Sequence, residues 1–170
     1  MENIVALIDH YKKQKSFPEK YTLFLNQPQL VPELLCCAGS DLPYPYPAYS
    51  SWWVFHLAKN SPTTILPFRD EVLKIFLSQE HPSVIRNMTA TLLALPAFST
   101  FYEGNVFDRL LHIFLNVEYK VAAQVNALYL LNRFISEFPE LKDEVVSAVE
   151  IIKSQPYSPA MRVALKSVRK

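Results

Sequence analysis

The residues able to do chemistry in this chain are four histidines, two cysteines and a thin scatter of arginines. His10, His56, His81 and His112 are dispersed, and no His-Glu-x-x-His, Cys-x-x-Cys or histidine pair at helical spacing brings metal ligands together. Cys36 and Cys37 are adjacent, which would strain a bridge between them, and zinc would need further ligands at wider spacing. Both read as buried, reduced thiols. The chain has neither a Gly-x-Ser-x-Gly elbow nor a glycine-rich phosphate loop. Ser50-Ser51-Trp52-Trp53 does not match the Ser-Ser-x-Met-Pro-x-Lys-x-Asn loop of the helical lyases. No catalytic residue, cofactor or metal is expected, and an enzyme built from residues converging on separate helices is the last of three readings.

What remains is recognition chemistry. The stretch Pro43-Tyr-Pro-Tyr-Pro-Ala-Tyr-Ser-Ser-Trp-Trp-Val-Phe-His-Leu-Ala58 concentrates aromatic side chains and prolines. Basic residues gather later, at Arg86, Arg133, Arg162, Lys166, Arg169 and Lys170, and no acidic residue follows Ile151. With Trp52 and Trp53 they could face a nucleic-acid backbone. Against that, 17 basic and 16 acidic residues leave a formal charge of +1, too little for a protein dominated by phosphate contacts.

The elements that must position these residues are helices. Half of the 170 residues are apolar, enough for a real core in one domain. Two glycines against thirteen prolines argue against hairpin turns, which need positive φ, and for short helices punctuated by proline. No run of about 18 uncharged apolar residues suggests a membrane span. The acidic first residues are unlike a signal peptide, so a cytoplasmic protein is expected.

Apolar spacing predicts helices over 3–15, 19–25, 27–38 (with Gly39 as a C′ residue), 50–59, 67–78, 82–95, 105–116, 120–138, 139–153 and 159–168. Asp70-Glu71 and Asp143-Glu144 sit near helix starts, where carboxylates stabilise. The basic stretch Tyr11-Lys-Lys-Gln-Lys15 reads as a solvated helix end.

These helices repeat. Val72-Leu-Lys-Ile-Phe-Leu77 recurs as Leu110-Leu-His-Ile-Phe-Leu115, with Val145-Val-Ser-Ala-Val149 and Glu33-Leu-Leu-Cys-Cys-Ala38 in corresponding places. Between them Val54-Phe-His-Leu-Ala58, Ala90-Thr-Leu-Leu-Ala94, Ala127-Leu-Tyr-Leu-Leu131 and Ala164-Leu-Lys-Ser-Val168 form a second series. A period of about 37 residues built from two helices is the mark of an α-solenoid. Phe76 and Phe114 then fall in the core of the outer helices. In this register Trp52 aligns with Met88 and Val125 as core, and Trp53 with Thr89 and Asn126 at a more exposed place. The prolines and tyrosines ahead of them become a rigid turn.

With its small-residue blocks headed by Val54, Ala90, Ala127 and Ala164, and Pro62, Pro82, Pro139 and Pro159 at turns, the chain resembles HEAT- and armadillo-type repeat proteins, especially small bacterial ones with degenerate repeats. The resemblance covers residues 28–169. It implies an all-α, right-handed superhelix of about four helix pairs (28–60, 67–95, 105–138, 139–169) behind N-terminal cap helices in 1–27, all in one domain. The usual inner-turn Asp and Arg are incomplete: Arg86 and Arg162 begin inner helices, while Ser50 and Gln124 stand near the corresponding places. The resemblance further implies a non-catalytic module that binds another protein along its concave face. Trp53, Arg86, Asn87, Gln124, Asn126 and Arg162 are the expected contact residues, being aromatic or polar positions outside the core blocks. The alternative it implies is nucleic-acid binding, as in the HEAT-like alkylpurine DNA glycosylases.

Overall fold

The computed structural model describes residues 2–12, 21–154 and 156–168. Proline marks most helix starts within them. Pro62, Pro82 and Pro159 each open a helix, where the missing N–H is no loss and the fixed φ suits the first turn. The helices are α1 (Glu2–Lys12), α2 (Thr22–Asn26), α3 (Val31–Ala38), α4 (Tyr46–Asn60), α5 (Pro62–Ile65), α6 (Arg69–Ser78), α7 (Pro82–Ala94), α8 (Gly104–Leu115), α9 (Val121–Glu137), α10 (Lys142–Lys153) and α11 (Pro159–Leu165). Single 3-10 turns cover Pro28–Leu30, Leu66–Phe68, Ser99–Tyr102 and Pro139–Leu141. No strand occurs among the described residues, and the chain is all-α, as its glycine and proline usage predicts.

Several boundaries differ from the periodicity, each for a local reason. Helix α4 starts at Tyr46 rather than near Ser50. Pro47 falls within its first turn, and the Tyr49 N–H already reaches the Pro45 carbonyl at 2.9 Å. Much of the expected proline-tyrosine turn is therefore helix, leaving residues 39–45 as the connection from α3. Asn60-Ser61-Pro62, expected as a break, is followed at once by the short α5. Helices α6 and α10 begin only after 3-10 turns that hold the prolines expected to start them. Gly39 has φ −91°, so it is not a left-handed C′ residue. A Cβ there would lie 3.0 Å from Ile75 Cγ1, so the glycine's place reflects the close approach of α6. The expected helix at 13–15, the Lys13 and Lys15 ammoniums, and residues 19–20 lie outside the described residues.

The chain divides into two compact units, Met1–Leu95 and Pro96–Lys170. In the first, α4 packs along α7, α3 packs on α4, and α6 on α7, so the pairs α3–α4 and α6–α7 are stacked through α4 and α7. Helix α1 lies against α3 and α4, tied by the Tyr46 hydroxyl donating to Asp9 Oδ1 at 3.2 Å. The buried stripe of α4 runs through Ser50, Trp53, Val54, Leu57 and Ala58, the i, i+3, i+4, i+7, i+8 pattern of a core-facing helix. The Gln79 amide just past α6 donates to the Gly39 carbonyl at 2.9 Å, tethering the ends of α6 and α3.

In the second unit α9 is central: α8 and α11 pack on it, and α10 packs on α8. Its aromatic core joins Phe101, Phe107 and Phe134, with ring centroids of Phe101 and Phe107 at 5.1 and 5.4 Å from Phe134. Phe76 and Phe114 are fully buried in α6 and α8, as their repeat positions predict. Each such side chain contributes about 1.5–3 kcal/mol by leaving water.

Candidate functional site

The first turns of α4 and α7 face one another and leave a cleft of about 260 Å³ between them. Helix α4 supplies Ala48, Tyr49 and Trp52, and α7 supplies Ser83 and Arg86, with Tyr44 at the edge. Spacing of three or four residues puts Tyr49 and Trp52, and Ser83 and Arg86, on single helix faces. His81 caps α7: its Nδ1 accepts the Ser83 N–H at 3.2 Å, and its ring stacks on Tyr44 with centroids 6.2 Å apart at 15°. Trp52 rests against His56 one turn on, ring centroids 3.9 Å apart. Burial pushes the His56 pKa below its ordinary value, with Lys59 adding to the effect.

Behind the cleft lies a buried polar lock. Asn87 is 3% exposed. Its amide donates to Ser51 Oγ at 2.9 Å and to the Ala48 carbonyl at 3.3 Å, both on α4. Its Oδ1 accepts from Arg86 Nε and Nη2, each at 3.3 Å. Both amide hydrogens and the acceptor oxygen are thus satisfied, as burial demands. Among the described residues Arg86 has no carboxylate partner, and its side-chain bonds go to Asn87 alone.

The six sequence-predicted contact residues separate into two groups. Arg86 and Asn126 are half-buried and Arg162 is exposed, so each can meet a partner. Trp53, Asn87 and Gln124 are 1%, 3% and 7% exposed and belong to the interior. The expected exposures of the two tryptophans are reversed: Trp52 is half-buried at the cleft, and Trp53 packs on Phe24 and Tyr11 with centroids at 5.4 and 6.2 Å. The cause is helical phase, because Trp53 lies three residues after Ser50 and four before Leu57 on the buried stripe. Gln124 is a cap: its amide donates to the carbonyls of Phe114 and Asn116 at 3.3 and 3.0 Å, closing the end of α8. Ser83 and Tyr49 at the cleft were not in that set. Their signal was spacing, three residues before Arg86 and three before Trp52.

Among the residues that could favour nucleic acid, Arg133 is half-buried beside Tyr102, and burial lowers its pKa. Lys166 is exposed, while Arg169 and Lys170 lie outside the described residues. Cys36 is exposed, against expectation, because it points away from the α3 stripe of Leu34, Leu35, Cys37 and Ala38. Cys37 is buried, and burial raises its pKa. No group of three or more His, Cys, Asp or Glu side chains able to hold a metal occurs among the described residues. No helix among them is long and apolar enough to cross a membrane.

Two other clefts are simpler. One of about 360 Å³ between α3 and α6 is lined mainly by Leu35, Phe68 and Ile75, with Glu71 and Lys74 both present. Another of about 180 Å³ lies in the second unit, lined by Val117, Val121, Ile152 and Tyr157 among others. Neither has a charged group fixed from below by a buried side chain.

Compared with known proteins, residues 46–170 match the family model described as a HEAT repeat domain. No curated protein and no solved structure matches the chain.

Proposed function

This chain belongs to the HEAT repeat family, whose members typically mediate protein interactions, and on that premise we propose that it is a non-catalytic module that captures another protein. The observation carrying this reading is the cleft at the first turns of α4 and α7, where Arg86 stands among Tyr44, Tyr49 and Trp52. Aromatic side chains and Arg dominate binding energy at interfaces. Arg86 is also held in place before a partner arrives, which lowers the ordering cost of binding. In the second unit exposed Arg162, with half-buried Asn126, offers further contact points. The repeat period running from Val54 to Val168 supports treating residues 1–170 as a single binding domain. The exposed thiol of Cys36 suits a reducing, cytoplasmic setting.

The test is affinity capture from native extract with nuclease present. A defined protein should co-purify with the wild-type chain and be lost with R86E/R162E, whose circular dichroism should stay unchanged. Capture that survives the double substitution, or vanishes on nuclease treatment, would overturn the reading.

A further inference from the structure

We propose that the α4–α7 cleft is an anchoring site for a carboxylate carried by a partner peptide, with Arg86 as its receptor. This rests on the protein-binding reading above and gives it a chemistry.

Four features point to it. First, the cleft pairs one cation with apolar walls. None of its described lining residues is acidic, and no carboxylate pairs with Arg86 among the described residues. A guanidinium that the fold leaves without a counter-charge calls for one from outside. Second, the fork is aimed. Asn87 Oδ1 takes the Nε and Nη2 hydrogens, so the Nη1 amino group and the outer Nη2 hydrogen remain available. That end of a guanidinium receives a carboxylate through two parallel bonds. Third, the Ser83 hydroxyl, one turn earlier on the same helix face, lines the same space and can donate a further hydrogen bond.

The fourth feature is size. At about 260 Å³ the cleft falls just below the range of pockets that enclose whole small molecules, about 300–1,000 Å³. It suits one or two side chains of a longer segment. Tyr44, Tyr49 and Trp52 would then cover the aliphatic part of the anchored residue or its neighbour. A nucleic-acid backbone fits less well, because such binding draws its strength from several neutralised phosphates, and Arg86 is the single cation lining this space among the described residues.

The experiment uses the full chain. An array of hexapeptides, each made with Glu and with Gln at the centre and with either a free or an amidated C-terminus, is probed with wild type, R86Q and R86K. The best Glu peptide is then titrated in solution. Wild type should prefer Glu over Gln by about tenfold, the scale expected for a hydrogen-bonded charge pair. R86Q should lose that preference, and R86K, which keeps charge but not the fork, should fall between them. Preference for Glu whether or not the terminus is amidated assigns the carboxylate to a side chain. Preference only for free termini assigns it to the chain end. Equal retention of Glu and Gln peptides and of free and amidated termini alike, or an undiminished preference in folded R86Q, would overturn the carboxylate site while leaving a protein-binding module. Failure to hold any peptide, together with salt-sensitive binding of duplex DNA, would overturn both.

Discussion

Arg86 and Asn87 are consecutive residues whose side chains are bonded to each other, Nε and Nη2 of the guanidinium each 3.3 Å from the amide oxygen. Neighbours on a helix ordinarily point about 100° apart. Here the buried amide, which also holds Ser51 and the Ala48 carbonyl on α4, serves as a footing for the half-exposed guanidinium.

N87A should therefore cost more stability than R86A. Removing Asn87 leaves the buried Ser51 oxygen short of its donor, at about 1–3 kcal/mol, while the Ala48 carbonyl keeps its bond from Ser51 Oγ at 3.0 Å. Removing Arg86 leaves a single acceptor, Asn87 Oδ1, without the donors it had, and keeps the bonds from Asn87 to α4. Urea titrations of both variants check the order. A larger loss in R86A would mean that the lock is not where the stability lies.

Trp53 should tolerate a smaller ring better than none. Its indole packs on Phe24 and Tyr11, yet its Nε1 has no hydrogen-bond partner among the described residues. W53A should cost about 3–5 kcal/mol through the cavity it opens. W53F should cost clearly less, since it keeps an aromatic contact and removes an unsatisfied donor. Equal Tm losses for the two variants would contradict this placement.

A thiol reagent should tell the two cysteines apart. Cys36 is exposed, whereas Cys37 is buried with its pKa raised by burial, so its thiolate is scarce as well as shielded. In native protein one thiol should react quickly with Ellman's reagent, and in urea both should. C36S should abolish the fast reaction.

Acidification should destabilise the protein partly through His56. Its folded pKa lies below the ordinary 6.5, chiefly from burial. Between the two values the unfolded chain binds more protons, so stability rises with pH there. The contribution is fully present above about pH 6.5 and is lost as pH falls through the folded value. Tm at pH 7.5 and 5.5 should differ less in H56Q than in wild type.

If residues 1–170 fold as one repeat domain, unfolding should be a single transition. Both tryptophans lie at 52 and 53 in the first unit, so fluorescence reports that unit and circular dichroism reports the whole chain. Coincident urea curves fit one domain. Separated curves would mean that the units unfold independently.

The sequence carried the helical class and most helix positions because proline and apolar spacing act locally. Pro82 and the Val84, Ile85, Met88 stripe leave α7 little choice. What it hid depended on phase and on partners distant in the chain. Trp52 and Trp53 differ by a single step around α4, and only the completed stripe from Ser50 to Ala58 decides which one turns inward. Asn87 and Gln124 look like surface amides until their acceptors, Ala48 on another helix and Phe114 at the end of α8, are known. Arg86 stood out in the sequence as a charged position outside the core blocks. Its cleft did not, since Tyr44, Ser83 and Arg86 meet only through the packing of α4 on α7.

The Ser51–Asn87 bond joins positions 36 residues apart, one repeat to the next. Repeat arrays are often treated as interchangeable bricks, shuffled or lengthened at will. Here the brick carrying Asn87 is keyed to a predecessor that offers a serine hydroxyl and a carbonyl at one height on its helix. Transplanted behind a repeat with leucine at the serine's place, it would bring a buried amide with its shorter bond lost. Any redesign of this array must move the α3–α4 and α6–α7 pairs together, as one part.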